Sequence, residues 1–504
     1  MLEKAYDPKA VEDRIYAMWE DSGAFVADAA STKEPFVISM PPPNATGQLH
    51  LGHAVMLALE DIFVRFARMR GKEALWVPGT DHASIATESV VIKKLQKEGM
   101  KDPRKELGRE ALLEKIAEFV ESSKNTIRSQ VRKMGSSCDW SRERYTFEPS
   151  LNRLVNEVFV KMYNDGLVYR GHRIVNWDPK LQTTVSDDEL EYKEETIPFH
   201  TFKYGPFEIA TSRPETKFGD KYVVMHPDDE RYAQYKHGDT FEAEWINGPV
   251  RATVIKDSVI DPAFGTGVMT ITPWHDTIDF GIAERHGLEK EQVIDEHGKL
   301  LSIAGEFAGM HIDDARPLIV EKLAKKGLTV STKEDYVHNK AVNSRGGGTI
   351  EPQIKLQWFV DVNKPVVDWK GKKMSLKEVM HDVVHHGDIQ IIPDRFNKTY
   401  FHWIDNLRDW CISRQIWWGH RIPVWYRGDE MFVGAKAPEG DGWTQDPDTL
   451  DTWFSAALWT WSTLVDPKLT EDYALSIGDM LRQSPDFQKF HPTSVMETGY
   501  DLIF

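Results

Sequence analysis

The stretch Glu34–Gly79 does most to limit how this chain can fold. "EPFVISM" (Glu34–Met40) is short, apolar and rich in strand formers, and "EALWVPG" (Glu73–Gly79) is a second such run. Between them lie a proline-rich loop, "PPPNATGQ", and the segment "LGHAVMLALEDIFVRFARMRG". In that segment Val55, Leu59, Ile62 and Phe66 recur at helical spacing, predicting a helix, and Gly71 ends the run. Strand, loop, helix and strand in this order are the repeating unit of a parallel, doubly wound α/β sheet.

In such a sheet, ligands sit beyond the carboxyl ends of the strands. The loop Pro41–Gln48 leaves the first strand, and Thr80, Asp81 and His82 leave the second, so both loops face one crevice. His50 and His53 open the helix between them, where free backbone N–H groups and the helix dipole favour an anion. Three residues apart, they share one helix face. Gly52 leaves room for a flat ring or a ribose against the backbone, and the prolines stiffen the loop. Together these features predict a nucleoside triphosphate site with two imidazoles aimed at phosphate. An ordinary surface pair of histidines has the same spacing; the proline-rich preamble and the Asp81 loop favour function.

At 504 residues the chain is too long for one core, and about three domains are expected. A further helix is predicted over Leu151–Tyr163, with Leu151, Val155, Val158 and Met162 on one face. Between about Glu189 and Lys340 the texture changes to short alternating strands broken by Gly, Pro and Asp, with helices only near Thr277–His286 and Asp314–Lys326. That reads as an inserted, mostly β domain. The chain stops at "METGYDLIF", within an apolar run, which reads as truncation of a longer protein.

A net charge of −17 argues against a dedicated nucleic-acid binder and leaves room for a local basic groove. No apolar run reaches the roughly 18 residues of a membrane span, and the charged N-terminus lacks the pattern of a secretory signal. Cys138 and Cys411 are the only cysteines, so neither a disulfide framework nor a cysteine zinc site is expected, and a reducing, cytoplasmic setting is. No resident metal is expected.

His50-Leu51-Gly52-His53 resembles the HIGH signature of the class I aminoacyl-tRNA synthetases. "PPPNATGQLHLGHA" and "VPGTDHASIAT" resemble the valine-type members in particular. "GSSCDWSRERYTF", "TSRPET", "TPWHD", "DWCISRQIWWGHRIPVWY", "LDTWFSAALW" and "PTSVMETGYDLIF" follow in the family's order, so the likeness covers nearly the whole chain. It implies a Rossmann-like catalytic domain in two halves, residues 1–188 and 341–504, split by a β-barrel-like editing insertion over 189–340. The family's KMSKS loop and anticodon-binding domain would lie beyond Phe504. Lys373-Met374-Ser375-Leu376-Lys377 reads close to that loop but precedes "DTWF" and "GYD", and is expected to be a solvated turn.

The resemblance implies activation of valine by ATP with Mg²⁺, transfer to tRNA(Val), and hydrolysis of mischarged threonyl-tRNA(Val), by a monomer with no membrane association. His50 and His53 would stabilise phosphate charge; Thr46, Gly47 and Gly52 would shape the ATP approach; Gly499 and Asp501 would contact the ribose. Asp81 would take the valine ammonium, with Pro42, Asn44, Trp453 and Leu502 around the side chain. In the insertion, Asp279 would bind the threonyl ammonium, Thr272 or Asp276 the hydroxyl, and Arg213 would hold tRNA or the loop, with Glu215 and His275 beside them. Asp276 and Asp279 at a helix start are equally well placed as simple caps. Ser84 stands where the family usually has glycine, Leu502 where isoleucine is common, and Thr270 where lysine is common. Two other readings stay open: an isoleucyl-type specificity, and a tRNA-end-binding and editing fragment without synthetic activity.

Overall fold

The computed structural model describes residues 6–499 and 502–503. The chain divides into two compact units, Met1–Tyr169 with Trp358–Phe504, and Arg170–Gln357.

In the first unit, α1 (Pro8–Asp21) leads into β1 (Pro35–Ser39), α2 (Leu51–Met69) and β2 (Glu73–Val77). β1 and β2 pair in parallel, from Pro35 opposite Glu73 to Ser39 opposite Val77. On the other side of β1, Val495 makes a parallel bridge to Ile38. Beyond β2, the short β3 (Gly79–Thr80) pairs in parallel with β4 (Arg144–Tyr145). Alternation along the strands supplies two apolar faces, as a parallel sheet requires. Ile38 and Trp76 pack with Leu57 and Val64 of α2 and with Ile127 of α4 (Pro103–Lys133), while Val37, Leu75 and Val77 pack on Leu464 and Phe490. Two more helices, α3 (Ser84–Lys97) and α5 (Pro149–Asn164), flank this frame; α5 buries Leu151 and Val155 as the spacing predicts.

The residues that mark the helical spacing of α2 are not its buried ones. Val55, Leu59, Ile62 and Phe66 are exposed, and Leu57, Glu60, Val64 and Ala67 face the core. The helix is apolar on both sides, so periodicity finds a stripe without saying which one meets the sheet. The buried face also carries a carboxyl group: Glu60 Oε2 accepts a 2.8 Å hydrogen bond from the Trp76 indole. Burial raises the Glu60 pKa to about 8, against the pull of that bond, so the group is largely neutral at pH 7.

The second unit carries β5 (Val168–Asp178), which begins in the first, and β6 (Thr183–Val185), β7 (Leu190–Tyr204), β8 (Phe207–Thr211), β9 (Tyr222–Met225), β10 (Thr240–Trp245), β11 (Gly248–Lys256) and β12 (Val268–Thr270). After α6 (Thr277–His286) and α7 (Ile312–Lys325) come β13 (Thr329–Asn343) and the start of β14 (Glu351–Val360). One sheet has the order β13-β7-β8, another β10-β11-β9-β12. Phe202, Tyr204, Trp245, Val254, Ile319 and Leu323 are part of one core, so this unit buries its own apolar side chains. It extends past 189–340 at both ends: β5 and β6 form a hairpin, the Trp177 indole donates to the Glu296 carbonyl, and Asn343 Nδ2 donates to Asp178.

Back in the first unit, the KMSKS-like run is the junction of the hairpin β15 (Val367–Trp369)–β16 (Lys372–Met374) with α8 (Leu376–His385). Ser375 caps α8 in a reciprocal pair with Glu378. Among the described residues no helix is long and apolar enough to cross a membrane, and no three His, Cys, Asp or Glu side chains are grouped to hold a metal ion.

Candidate active sites

The first site is built where β1 and β2 end. The proline loop is zipped to the second strand's exit: the Asp81 N–H donates to the Pro43 carbonyl at 2.9 Å and the Ala45 N–H to the Asp81 carbonyl at 2.8 Å. Gly79 is required there, because a β-carbon would lie 2.4 Å from the Trp459 ring. His50 is the N-cap of α2. Its Nδ1 accepts from the Gly52 N–H at 3.1 Å, and the Nδ1 of His53 accepts from the His50 N–H at 3.3 Å. With both Nδ1 lone pairs occupied, a hydrogen on each neutral ring belongs on Nε2, which is free to donate outward. Burial and the neighbouring His50 lower the His53 pKa, favouring the neutral ring. The space beside Gly52 is taken by the chain's own His50 ring: a β-carbon there would meet that imidazole at 2.9 Å.

Asp81 is 6% exposed and collects donors. The Ala83 N–H and the Thr146 hydroxyl each donate to Oδ1 at 3.0 Å, and the Thr452 hydroxyl lies 3.2 Å from both oxygens. The Nδ1 of His82 is 3.0 Å from Oδ1. Burial would raise this carboxyl, but the His82 contact and the other donors outweigh it and hold the pKa below the usual value. On the far side of the His82 ring, Nε2 is 2.9 Å from Ser84 Oγ. Ala83 and Ser84 both have left-handed backbone, with φ of 54° and 23°. Trp453 follows Thr452, and its buried Nε1 has no hydrogen-bond partner.

Pro42, Asn44, Thr46 and Gly47 line the zipped loop, Asn44 bridging directly to Asp81, and all four are half-buried. Gly499 and Leu502 are exposed, and Asp501 lies outside the described residues. His82, Ser84, Thr146 and Thr452 went unread as site residues. "TDHAS" places the first two beside Asp81, but Thr146 and Thr452 come from 65 and 371 residues along the chain, with no local signal.

The second site lies at the start of α6. Asp276 is its N-cap, accepting from the Ile278 N–H at 2.8 Å and the Asp279 N–H at 3.0 Å, and is exposed. Asp279 is buried. Its Oδ2 accepts from the Thr272 N–H at 2.7 Å, and its Oδ1 has no partner. Burial, then the Asp276 charge, raise its pKa to about 7. Thr272 Oγ1 is 3.3 Å from Thr216 Oγ1 and 3.4 Å from Lys217 Nζ. Lys217 follows "TSRPET" directly and Asp220 three residues later, with no spacing signal that marks either; burial raises Asp220 to about 6.

The remaining candidates in this unit form a separate ionic net. Arg213 pairs with Glu351 at 2.6 Å and Glu215 at 3.1 Å, and Arg316 grips both Glu215 oxygens at 2.9 Å. His275 is 2% exposed; its Nε2 accepts from the Val293 and Ile294 N–H groups at 3.0 and 3.1 Å, leaving an Nδ1–H for the Pro352 carbonyl. These partners fix the loop that carries Thr216 and the segment that carries Thr272.

The family model for tRNA synthetases class I (I, L, M and V) matches residues 14–438 and 429–504. A valine–tRNA ligase of Clostridium tetani (strain Massachusetts / E88) is 44% identical over 519 residues, covering 100% of this chain and 55% of the relative. Valine–tRNA ligases of Clostridium acetobutylicum and Mycobacterium tuberculosis (strain CDC 1551 / Oshkosh) are 43% and 41% identical, again covering all of this chain and 55% and 54% of their own lengths. The chain thus spans about half the length of the curated relatives it matches. With the family model covering nearly the whole sequence, the chain belongs to the class I tRNA synthetases of the I, L, M and V group.

Proposed function

We propose that the first unit activates valine with ATP and serves its transfer to tRNA(Val), and that the second unit hydrolyses threonyl-tRNA(Val). The observation that carries this reading is Asp81: a buried carboxylate kept ionised beside the loop that ends in the two-histidine cap. Its charge suits an amino-acid ammonium, and the Nε2–H groups of His50 and His53 suit phosphate.

In activation, a valine carboxylate oxygen attacks the α-phosphorus of ATP, the bond to the β-phosphate oxygen breaks, and pyrophosphate leaves. The residues contribute position and charge stabilisation. Asp81 fixes the ammonium, Pro42, Asn44 and Trp453 border the side chain, Thr46 and Gly47 border the nucleotide, and His50 and His53 donate to phosphate oxygens as negative charge moves to the leaving group. Mg²⁺ enters as part of the nucleotide substrate and neutralises phosphate charge. In transfer, the terminal 2′-hydroxyl attacks the valyl carbonyl and AMP leaves.

Threonine is nearly isosteric with valine, and an apolar pocket rejects the hydroxyl by only about 10², the known order for enzymes of this kind and not a value drawn from these residues. A second, hydrolytic site answers that limit. Asp279 would take the threonyl ammonium, with Thr272 or Asp276 for the hydroxyl and the Arg213–Glu215 net, braced by His275, holding the loop. The reading is tested by titrating the chain with valine, isoleucine and threonine, and by following hydrolysis of threonyl- and valyl-tRNA(Val). Valine is expected to bind more than tenfold tighter than isoleucine, and only the threonyl ester to be cleaved. Equal isoleucine binding overturns the valine assignment. Ester cleavage without any amino-acid binding leaves the hydrolytic fragment as the function.

A further inference from the structure

We propose that Lys217 is the cationic positioning residue of the second site, supplying from the loop after "TSRPET" the positive charge that position 270 lacks. The proposal rests on the hydrolytic reading above. Thr270 is uncharged, and the segment Thr270–Phe280 carries no lysine or arginine. In space, the ammonium is present. Lys217 is only 7% exposed, and its Nζ lies 3.3 Å from the Thr270 carbonyl oxygen, 3.4 Å from Thr272 Oγ1 and 3.7 Å from Asp220 Oδ1. Its backbone is pinned by the Trp245 indole, which donates to the Lys217 carbonyl at 2.7 Å.

These contacts do not look like those of a structural ion pair. Within the same unit, Arg213 closes on Glu351 at 2.6 Å and Arg316 on Glu215 at 2.9 Å. All three Lys217 contacts are longer, and the carboxyl it faces, Asp220, is buried with no hydrogen-bond partner on either oxygen. Asp279 Oδ1 is likewise buried without a partner. The charged groups that face Asp279 are Asp276, Asp220 and Lys217. Two buried carboxyls therefore share one ammonium, with the exposed Asp276 adding a third acid, so the cluster favours a further cation. A substrate ammonium is that cation. Lys217 does two things toward it. It donates to Thr272 Oγ1, turning that hydroxyl's own hydrogen toward Thr216, and it opposes the repulsion of Asp220 and Asp276 that would neutralise Asp279. In hydrolysis, water attacks the ester carbonyl, the bond to the ribose oxygen breaks, and that oxygen leaves with a proton. Lys217 touches none of these atoms.

The test uses the whole chain, with Lys217→Met and with the exchange variant Lys217→Thr/Thr270→Lys. Carboxyl titrations are followed by ¹³C NMR on ligand-free protein, and hydrolysis of threonyl-tRNA(Val) is followed from pH 5.5 to 9. In the parent, hydrolysis rises as pH rises through about 7, where Asp279 ionises. In Lys217→Met the Asp279 titration moves upward, hydrolysis at pH 7 falls at least tenfold, and the gap narrows toward pH 9. The exchange variant recovers to within about threefold of the parent. An unchanged Asp279 titration in Lys217→Met overturns the proposal, as does a rate loss that is the same at every pH or one that the exchange variant does not repair. If Lys217 governs the titration but the parent cleaves no threonyl ester, the hydrolytic reading falls, and with it the substrate named here.

Discussion

Asp81 and Asp279 are both buried aspartates proposed to hold an ammonium, and their surroundings tune them in opposite directions. Asp81 receives the Ala83 N–H, the Thr146 hydroxyl and the His82 ring, and its pKa is held low. Asp279 receives one N–H, faces two other acids, and is raised to about 7. The number of donors decides the sign, since burial alone raises both. A carboxylate ionised at every physiological pH suits a site that must hold its amino acid through a chemical step. One half-protonated near neutrality binds only when a cation completes it, which suits a site that samples a charged substrate and releases it.

The largest effect separates the two sites by their chemistry. His50→Ala and His53→Ala should each lower valine-dependent ATP–pyrophosphate exchange by roughly 10²–10³, the scale for a lost preorganised donor. Threonyl-ester hydrolysis should not change. Measured in a chain extended to the full length of the relatives, loss of both activities together would show that the histidines act through folding.

Next in size, Asp81→Asn should weaken valine binding by roughly 10- to 150-fold, as a lost charge-assisted hydrogen bond of about 1.5–3 kcal/mol implies. ATP binding should change little. Calorimetric titration from pH 5 to 9 checks the comparison directly, because the loss should be the same throughout for a group ionised over that whole range. A loss that grows with pH would mean that Asp81 titrates as Asp279 does.

A smaller effect reads Asp279 through stability. Its folded pKa of about 7 lies above the unfolded value, so the folded state holds a proton that the unfolded state has lost between roughly pH 4 and 7. Stability from this group is therefore full below pH 4 and lost as pH rises through 7. Asp279→Asn keeps an acceptor for the Thr272 N–H and removes that dependence. Its melting temperature should exceed the parent's by a few degrees at pH 8 and match it near pH 4. An Asn variant less stable at pH 8 would show that the carboxylate is stabilised by partners, and the contrast with Asp81 would collapse.

The two sites were legible to different depths. Local grammar gives the β1–α2–β2 frame, the helix start at His50 and the cap at Asp276, because each depends on residues within a few positions. Helical spacing does not say which side of α2 is buried, because the helix is apolar on both; Leu57, Glu60, Val64 and Ala67 face the core. Thr146 and Thr452 at Asp81, and Lys217 at Thr270, depend on approaches across 65, 371 and 53 residues, which no spacing encodes. The lysine beside Thr270 comes from another loop, so nothing around position 270 points to it.

The smallest effect is at Ser84, where strain and hydrogen bonding oppose each other. Its φ of 23° is left-handed, a conformation glycine adopts freely and serine adopts at a cost on the order of 1 kcal/mol. In return, Ser84 Oγ reaches His82 Nε2 at 2.9 Å inside a sealed pocket. The carboxylate on the other side of the ring calls for a hydrogen on Nδ1, so Nε2 is the acceptor and the serine hydroxyl the donor. That arrangement orients the His82 ring so that Nδ1 faces Asp81, whose pKa is held below the usual value. Ser84→Gly removes the strain and the donor together. A net hydrogen bond is worth about 0.5–1.5 kcal/mol, so the two terms nearly cancel in stability, and the melting temperature should stay within a few degrees of the parent. Valine affinity should still fall, by roughly 3- to 10-fold, and ¹⁵N shifts of His82 should show the single tautomer giving way to a mixture. Ser84→Ala, which keeps the strain and loses the donor, should match that affinity and melt lower. Equal affinity in all three proteins would mean that Asp81 is tuned without the ring behind it.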